Sequence, residues 1–207
     1  MKWQPIKAVA FDAYGTLIEI GEKRRPFAKL AALSGQGAIA SPLTERIGLE
    51  QFYAAVGQHS DAPSLKSLQR DLAVELASTH AYPEAAFVLG QLRDRGIRTA
   101  VASNLAMPYA DPIRNELGEL LDAFCFSFNV GAVKPEARFY AALAVMLRLH
   151  PSEILMVGDT WRCDYTGATD AGLAALHLDR RRNAAPHQAA VSIHDLSDVL
   201  GALDLAP

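Results

Sequence analysis

An alternation limits the fold of this chain more than any other feature: short apolar runs are separated by longer stretches with helical spacing. Ile6–Phe11, Arg98–Ala102, Phe124–Phe128, Ile154–Val157 and Ala174–Leu178 read as strands. Helices are expected over Pro83–Arg95, Asp111–Leu121, Glu136–Leu149, Tyr165–Ala171 and Leu196–Leu203. Pro83 suits a first helical turn, where its missing N–H goes unused, and Gly96 suits a C-terminal cap. Strands that alternate with helices pair in parallel through crossovers, so the expected fold is α/β, a parallel sheet with helices on both faces.

The spacing is broken once. From Ile18 to Ala81 the pattern suggests helices, such as Arg70–Ser78, and not strands. This predicts a helical insertion at 18–81 that leaves the sheet after its first strand, with 1–17 and 82–207 forming the core. Its internal loops are expected at Ser34–Ser41 and Ser60–Ser64. A length of 207 residues suits one domain with such an insertion.

Charge and composition exclude some functions. A net charge of -3 does not suggest nucleic acid as a partner. The basic runs Lys23–Arg25 and Arg180–Arg182 read as solvated faces or loops. Met1–Pro5 is not followed by a long apolar stretch, so neither membrane insertion nor export is expected, and a cytoplasmic location is. Cys125 and Cys163 have no metal-ligand spacing, and Cys125 reads as a core residue. The chain is expected to act as a monomer or homodimer.

Ligands of open parallel sheets bind beyond the carboxyl ends of the strands. The polar residues there are Asp12, Tyr14 and Thr16, then Ser103 and Asn104, then Lys134, then Asp159 and Asp164. Taken singly, each has an ordinary explanation: a strand-ending Asp shapes a turn, Asp164 caps a helix, Ser103 caps a turn and a lysine lies on the surface. Together they bring carboxylates, a hydroxyl and an ammonium to one end of the sheet. A carboxylate there can attack phosphorus or carbon and form a covalent intermediate. Asp12 and Asp159, with a backbone carbonyl, suit the oxygen shell of Mg²⁺. Lys134 can offset charge on the nucleophile and on an anionic small-molecule substrate.

In order, the segments FDAYGTL (from Phe11), Ser103-Asn104, Lys134-Pro135-Glu136 and VGDTWRCDYTGATDAGL (from Val157) resemble the four motifs of the haloacid-dehalogenase superfamily. The resemblance spans nearly the whole chain. It implies a Rossmann-like core with a helical cap at 18–81, Asp12 as nucleophile, and Lys134 as the charge-balancing residue. It further implies that Tyr14, Thr16, Ser103 and Asn104 face the substrate, while Asp12, the Tyr14 carbonyl, Asp159 and Asp164 support Mg²⁺.

The motifs point in two directions. Phosphatases of this family carry an Asp two residues after the nucleophile as general acid and base; here that residue is Tyr14. The 2-haloacid dehalogenases of the family often show FDAYGTL but usually replace the metal-binding Gly-Asp by neutral residues, whereas this chain has Gly158-Asp159. The retained Asp159 favours a Mg²⁺-dependent phosphatase acting on activated leaving groups. The alternatives are a 2-haloacid dehalogenase and an inactive binding protein of the same fold. Arg24 or Arg25 is a candidate for a substrate carboxylate or halide, Tyr140 is either a site or a core aromatic, and Trp161 and Cys163 are candidates to line the pocket.

Overall fold

The computed structural model describes residues 5–32, 41–56 and 63–204. Chain order gives strands β1 (Ala8–Phe11), β2 (Ile18–Ile20), β3 (Thr79–Ala81), β4 (Arg98–Ser103), β5 (Ala123–Phe126), β6 (Ile154–Gly158), β7 (Ala174–Leu178) and β8 (Ser192–Ile193). The helices begin with α1 (Pro26–Ala31), α2 (Leu49–Val56), α3 (Leu65–Ala77), α4 (Ala85–Asp94), α5 (Ala110–Leu117), the short α6 (Ser127–Val130) and α7 (Ala137–Leu147). The short α8 (Gly167–Asp170) and α9 (Pro186–Ala189) precede α10 (Asp198–Asp204). Among the described residues, six strands form one parallel sheet in the order β5-β4-β1-β6-β7-β8. The α/β expectation holds.

Alternation along the central strands sets the thickness of each layer. Val9, Phe11, Val101, Leu155 and Val157 pack on one face against Val88, Leu89 and Leu92 of α4 and Ile113 of α5. Ala8, Ala10, Ala100 and Ala102 turn to the other face, where α7 brings the large side chains Phe139, Tyr140 and Leu143. Successive residues of a strand face opposite ways, so β1 and β4 sort small from large by parity, while β6 sets Ile154 and Met156 on the α7 face. The alanines make room for the aromatic residues of α7.

Register brings the strand ends to within two residues of one another. Phe11 lies beside both Val101 and Val157, and Ser103 beside Phe126. With β1 central, the residues after β1, β4 and β6 emerge side by side where the strand order reverses, which is where ligands bind in such sheets.

The segment between β1 and α4 needs correction. It is mainly helical, with a separate small core of Leu30, Leu49, Phe52, Val56 and Leu68. It also contains strands: β2 and β3 pair antiparallel, Ile18 beside Ala81, where the chain leaves and rejoins the sheet. These three-residue strands carry no alternation long enough to read. The expected strand over Phe124–Phe128 ends at Phe126, and Ser127 opens α6, because the apolar run continues into a helix without a break in hydropathy. The loop expected at Ser34–Ser41 lies outside the described residues except for Ser41. Of Ser60–Ser64 only Pro63 and Ser64 are described, and the Ser64 side chain caps α3.

No described helix is long and apolar enough to cross a membrane. Cys125 and Cys163 are free thiols. Burial of Cys125 pushes its thiol up to about 12, so it acts as a core residue.

Ala10→Leu should overpack the α7 face and lower stability by about 1–3 kcal/mol. Chemical denaturation reads this as a lower midpoint at unchanged slope; an unmoved midpoint would contradict the close-packed alanine face.

Candidate active site

Asp12 follows β1 directly, and its N–H donates to Val157 O at 2.8 Å, extending the ladder by one residue. The chain then turns tightly: the N–H groups of Leu17 and Ile18 both donate to Ala13 O, at 2.8 and 2.9 Å. Gly15 has φ 92°, and a Cβ there would lie 2.4 Å from Asp159 Oδ2. A glycine is required at this point because the loop presses directly on that carboxylate.

Lys134 is buried, with 3% of its surface exposed. Its Nζ donates to Asp12 Oδ1 at 2.8 Å and to Asp164 Oδ1 at 2.6 Å. Asn104 holds the main chain of this lysine in both directions: its Nδ2 donates to Lys134 O and its Oδ1 accepts from Lys134 N, both at 2.8 Å. The Asn104 amide, expected to face substrate, is occupied in positioning Lys134. Nothing in the sequence announces this pairing between loops.

Asp164 lies in a π-helical turn, Trp161–Thr166, that follows β6. The turn replaces the first part of the helix expected from Tyr165, which becomes the short α8. Asp164 Oδ2 accepts from the Thr160 N–H at 2.9 Å, so the capping reading and the site reading coexist. Gly158 is required here too, since a Cβ would lie 2.3 Å from Asp164 Cγ. Tyr140 is a core aromatic whose hydroxyl donates to Cys163 O, tying α7 to this turn.

Oxygens of Asp12, Asp159 and Asp164 lie within 4.8 Å of one another. Electrostatics reflects the crowding. Burial pushes Asp164 up to about 6, Lys134 opposes this, and Asp12 adds to it. Burial works against the charge of Lys134, but Asp12 and Asp164 outweigh it and hold the ammonium above the ordinary lysine range. Asp159 stands at the exposed rim, yet the atoms crowded round its carboxyl, and then Asp12, raise its pKa. The lysine therefore stays charged, and three carboxylates face one ammonium.

The structure thus brings Asp12, Lys134, Asp159 and Asp164 together. Thr16 is fully buried and its hydroxyl has no partner among the described residues. Ser103 is buried at the end of β4. The Tyr14 ring turns toward the core turn Met107–Tyr109, which itself meets the insertion at Phe27 and Glu75; its hydroxyl donates to Tyr109 O at 2.7 Å and its ring meets that of Tyr109 edge-on. Burial holds the Tyr14 hydroxyl well above the usual phenol range. Beside it is a cavity of about 570 Å³, mainly apolar, whose walls include Phe27, Phe52, Leu105, Tyr109 and the buried Glu75. Arg25 also borders the cavity, and its backbone N–H donates to Glu75 Oε2 at 2.7 Å; Arg24 pairs with Glu22 on the surface. Trp161 stacks on Tyr165. The reading of Arg180–Arg182 as a solvated run fails for Arg180, which turns inward against the Asp12 loop.

The model of the haloacid dehalogenase-like hydrolases matches residues 6–172. The chain is 28% identical to (S)-2-haloacid dehalogenase 1 of Pseudomonas sp. (strain CBS-3), over 94% of each protein. It is 31% identical to a phosphoserine phosphatase of Thermus thermophilus, over 72% of this chain and 59% of that protein. The structure of L-2-haloacid dehalogenase from Xanthobacter autotrophicus matches the fold with a TM-score of 0.68 at 20% identity, covering 98% of this chain and 100% of that one. Motif order, sheet topology and this family match agree: the chain belongs to the haloacid dehalogenase-like hydrolases.

Proposed function

We propose that this hydrolase is a Mg²⁺-dependent phosphatase that acts through a phospho-Asp12 intermediate on a small substrate with an activated leaving group. One observation carries the reading: oxygens of three carboxylates lie within 4.8 Å, beside one ammonium. A pair of like unit charges 4 Å apart costs about 4 kcal/mol at an effective dielectric near 20. A cluster with this excess of negative charge repels any anionic substrate unless a cation balances it. The all-oxygen donor set suits a hard divalent ion, and Gly15 leaves the Asp159 carboxylate the space it needs. Asp12, Asp159 and Asp164 would hold that ion, with the Tyr14 carbonyl as a further donor. Bound there, Mg²⁺ supplies positive charge for the phosphate oxygens.

The protein's own part is positioning. Lys134 fixes one oxygen of Asp12, leaving the other to attack phosphorus. The P–O bond to the leaving group breaks and its electron pair departs with that group. Water then hydrolyses the acyl phosphate and regenerates Asp12. Ser103 and Thr16 flank the reacting centre, and residues 18–81 act as the lid that supplies the leaving-group side of the pocket. Tyr14 cannot stand in for a general acid while its proton is directed at Tyr109 O. Aryl and acyl phosphates, whose aryloxide or carboxylate leaving groups depart without a proton, fit this arrangement.

A second reading is favoured by the full-length similarity to a 2-haloacid dehalogenase and by the FDAYGTL segment. In it Asp12 attacks carbon and expels halide, Arg25 faces the substrate carboxylate, and no metal is needed.

A screen of phosphate esters and 2-haloacids, each with Mg²⁺ and with EDTA, separates the two, with Asp12→Asn as the blank. The expected result is phosphate release that EDTA abolishes. Halide release that persists in EDTA, without phosphate release, would replace the first reading by the second. Tyr14→Asp should raise kcat on a sugar phosphate by up to about 10²-fold, the lower end of what a positioned acid contributes. No gain in phosphate release would count against this account of position 14.

A further inference from the structure

We propose that Arg180 is a positioning residue that couples the lid crossings to the nucleophile loop; this rests on Asp12 as the reacting group, whichever substrate class it attacks. Arg180 lies two residues beyond β7. Its Nη2 donates to Thr16 O at 2.8 Å and its Nε to Gly15 O at 3.3 Å. Its Nη1 donates to Glu84 Oε1 at 2.6 Å, and its guanidinium carbon lies 3.7 Å from the centre of the Tyr82 ring.

These partners lie on both chain crossings between sheet and insertion. Gly15 and Thr16 precede β2, where the chain goes out; Tyr82 and Glu84 follow β3, where it returns. The crossings also touch each other, since Tyr82 N–H donates to Leu17 O at 3.0 Å. A planar fork with five N–H groups can hold two carbonyls and a carboxylate at once while stacking on a ring, which an ammonium cannot do. The pair with Glu84 is mostly shielded, with side-chain exposures of 21% and 17%.

The grip falls on the loop that sets the site. Gly15 is packed against Asp159, and Ala13 O, which closes the same loop, is next to Asp12. The guanidinium therefore ties the returning crossing to the Gly15 and Thr16 carbonyls beside the nucleophile, in addition to the direct Tyr82–Leu17 bond. Arg180 touches neither Asp12 nor the acidic cluster, so its effect is on the placement of Asp12.

The test compares wild type, Arg180→Ala, Arg180→Lys and Glu84→Gln by backbone amide hydrogen exchange and by kinetics on the best substrate of the screen. Arg180→Ala should raise exchange at least about tenfold in residues 13–18 and 79–84 together, ahead of any change in β4 and β6. It should lower kcat about 10- to 100-fold through misplacement of Asp12, with KM changed by less than about threefold. Lysine should restore less than half of the exchange protection, and Glu84→Gln should loosen both segments to a smaller degree. If Arg180→Ala does not fold, Glu84→Gln and Arg180→Lys decide by the same two-segment criterion. Exchange that rises only around residues 179–185, or equally throughout the sheet, overturns the proposal, as does an unchanged kcat in an active enzyme. A wild type that releases neither phosphate nor halide defeats the reading of Asp12 alone; the exchange pattern still decides whether Arg180 couples the crossings.

Discussion

The site depends on one buried cation. Lys134 places its ammonium between Asp12 and Asp164, away from solvent, and each of the three groups is tolerable there because of the others. Removing one partner of such an arrangement typically costs about 3–5 kcal/mol, because a charge is left buried without compensation. The trio joins the ends of three different segments, so it also fixes how the loops after β1 and β6 and the segment before α7 stand relative to one another. Asn104 extends this from a fourth segment by holding the lysine main chain.

The scaffold supplies what that trio needs. The register delivers the loops after β1, β4 and β6 close together, and the alanine face lets α7 approach closely enough for Tyr140 to hold the turn that carries Asp164. Glycines at 15 and 158 are absences of side chain at which a carboxylate takes the vacated volume. The insertion has a core of its own and meets the rest of the protein through the two-stranded ribbon, the Phe27–Tyr109 ring contact, the Tyr109–Glu75 bond and the Arg46–Asn129 bond.

The central strands were legible because burial on both faces writes them as unbroken apolar runs between helical stretches. Asp12 and Asp159 were legible because they sit at the ends of those runs, whereas Lys134 and Asp164, farther along, were legible only through the order of the motifs. What escaped was decided by contacts between distant loops. Asn104 looks like a polar loop residue until Lys134, 30 positions later, is seen to fold back on it. Arg180 is one of three consecutive arginines, and only the path of the chain around Gly15 and Glu84 distinguishes it from its neighbours. The ribbon of β2 and β3 joins residues roughly 60 positions apart in strands too short to show a period.

The outward turn of the Tyr14 ring has an evolutionary consequence. The genetic code places Tyr and Asp one base apart, so this position can move between the two side chains in a single mutational step. The ring rests against Tyr109 and makes no hydrogen bond to Lys134, Asp12 or Asp164, so such a step removes no bond of the buried cation. What it gives up is the bond to Tyr109 and the edge-on ring contact, both at the seam with the insertion. The structural cost of such a step therefore falls on the contact between Tyr14 and the Met107–Tyr109 turn.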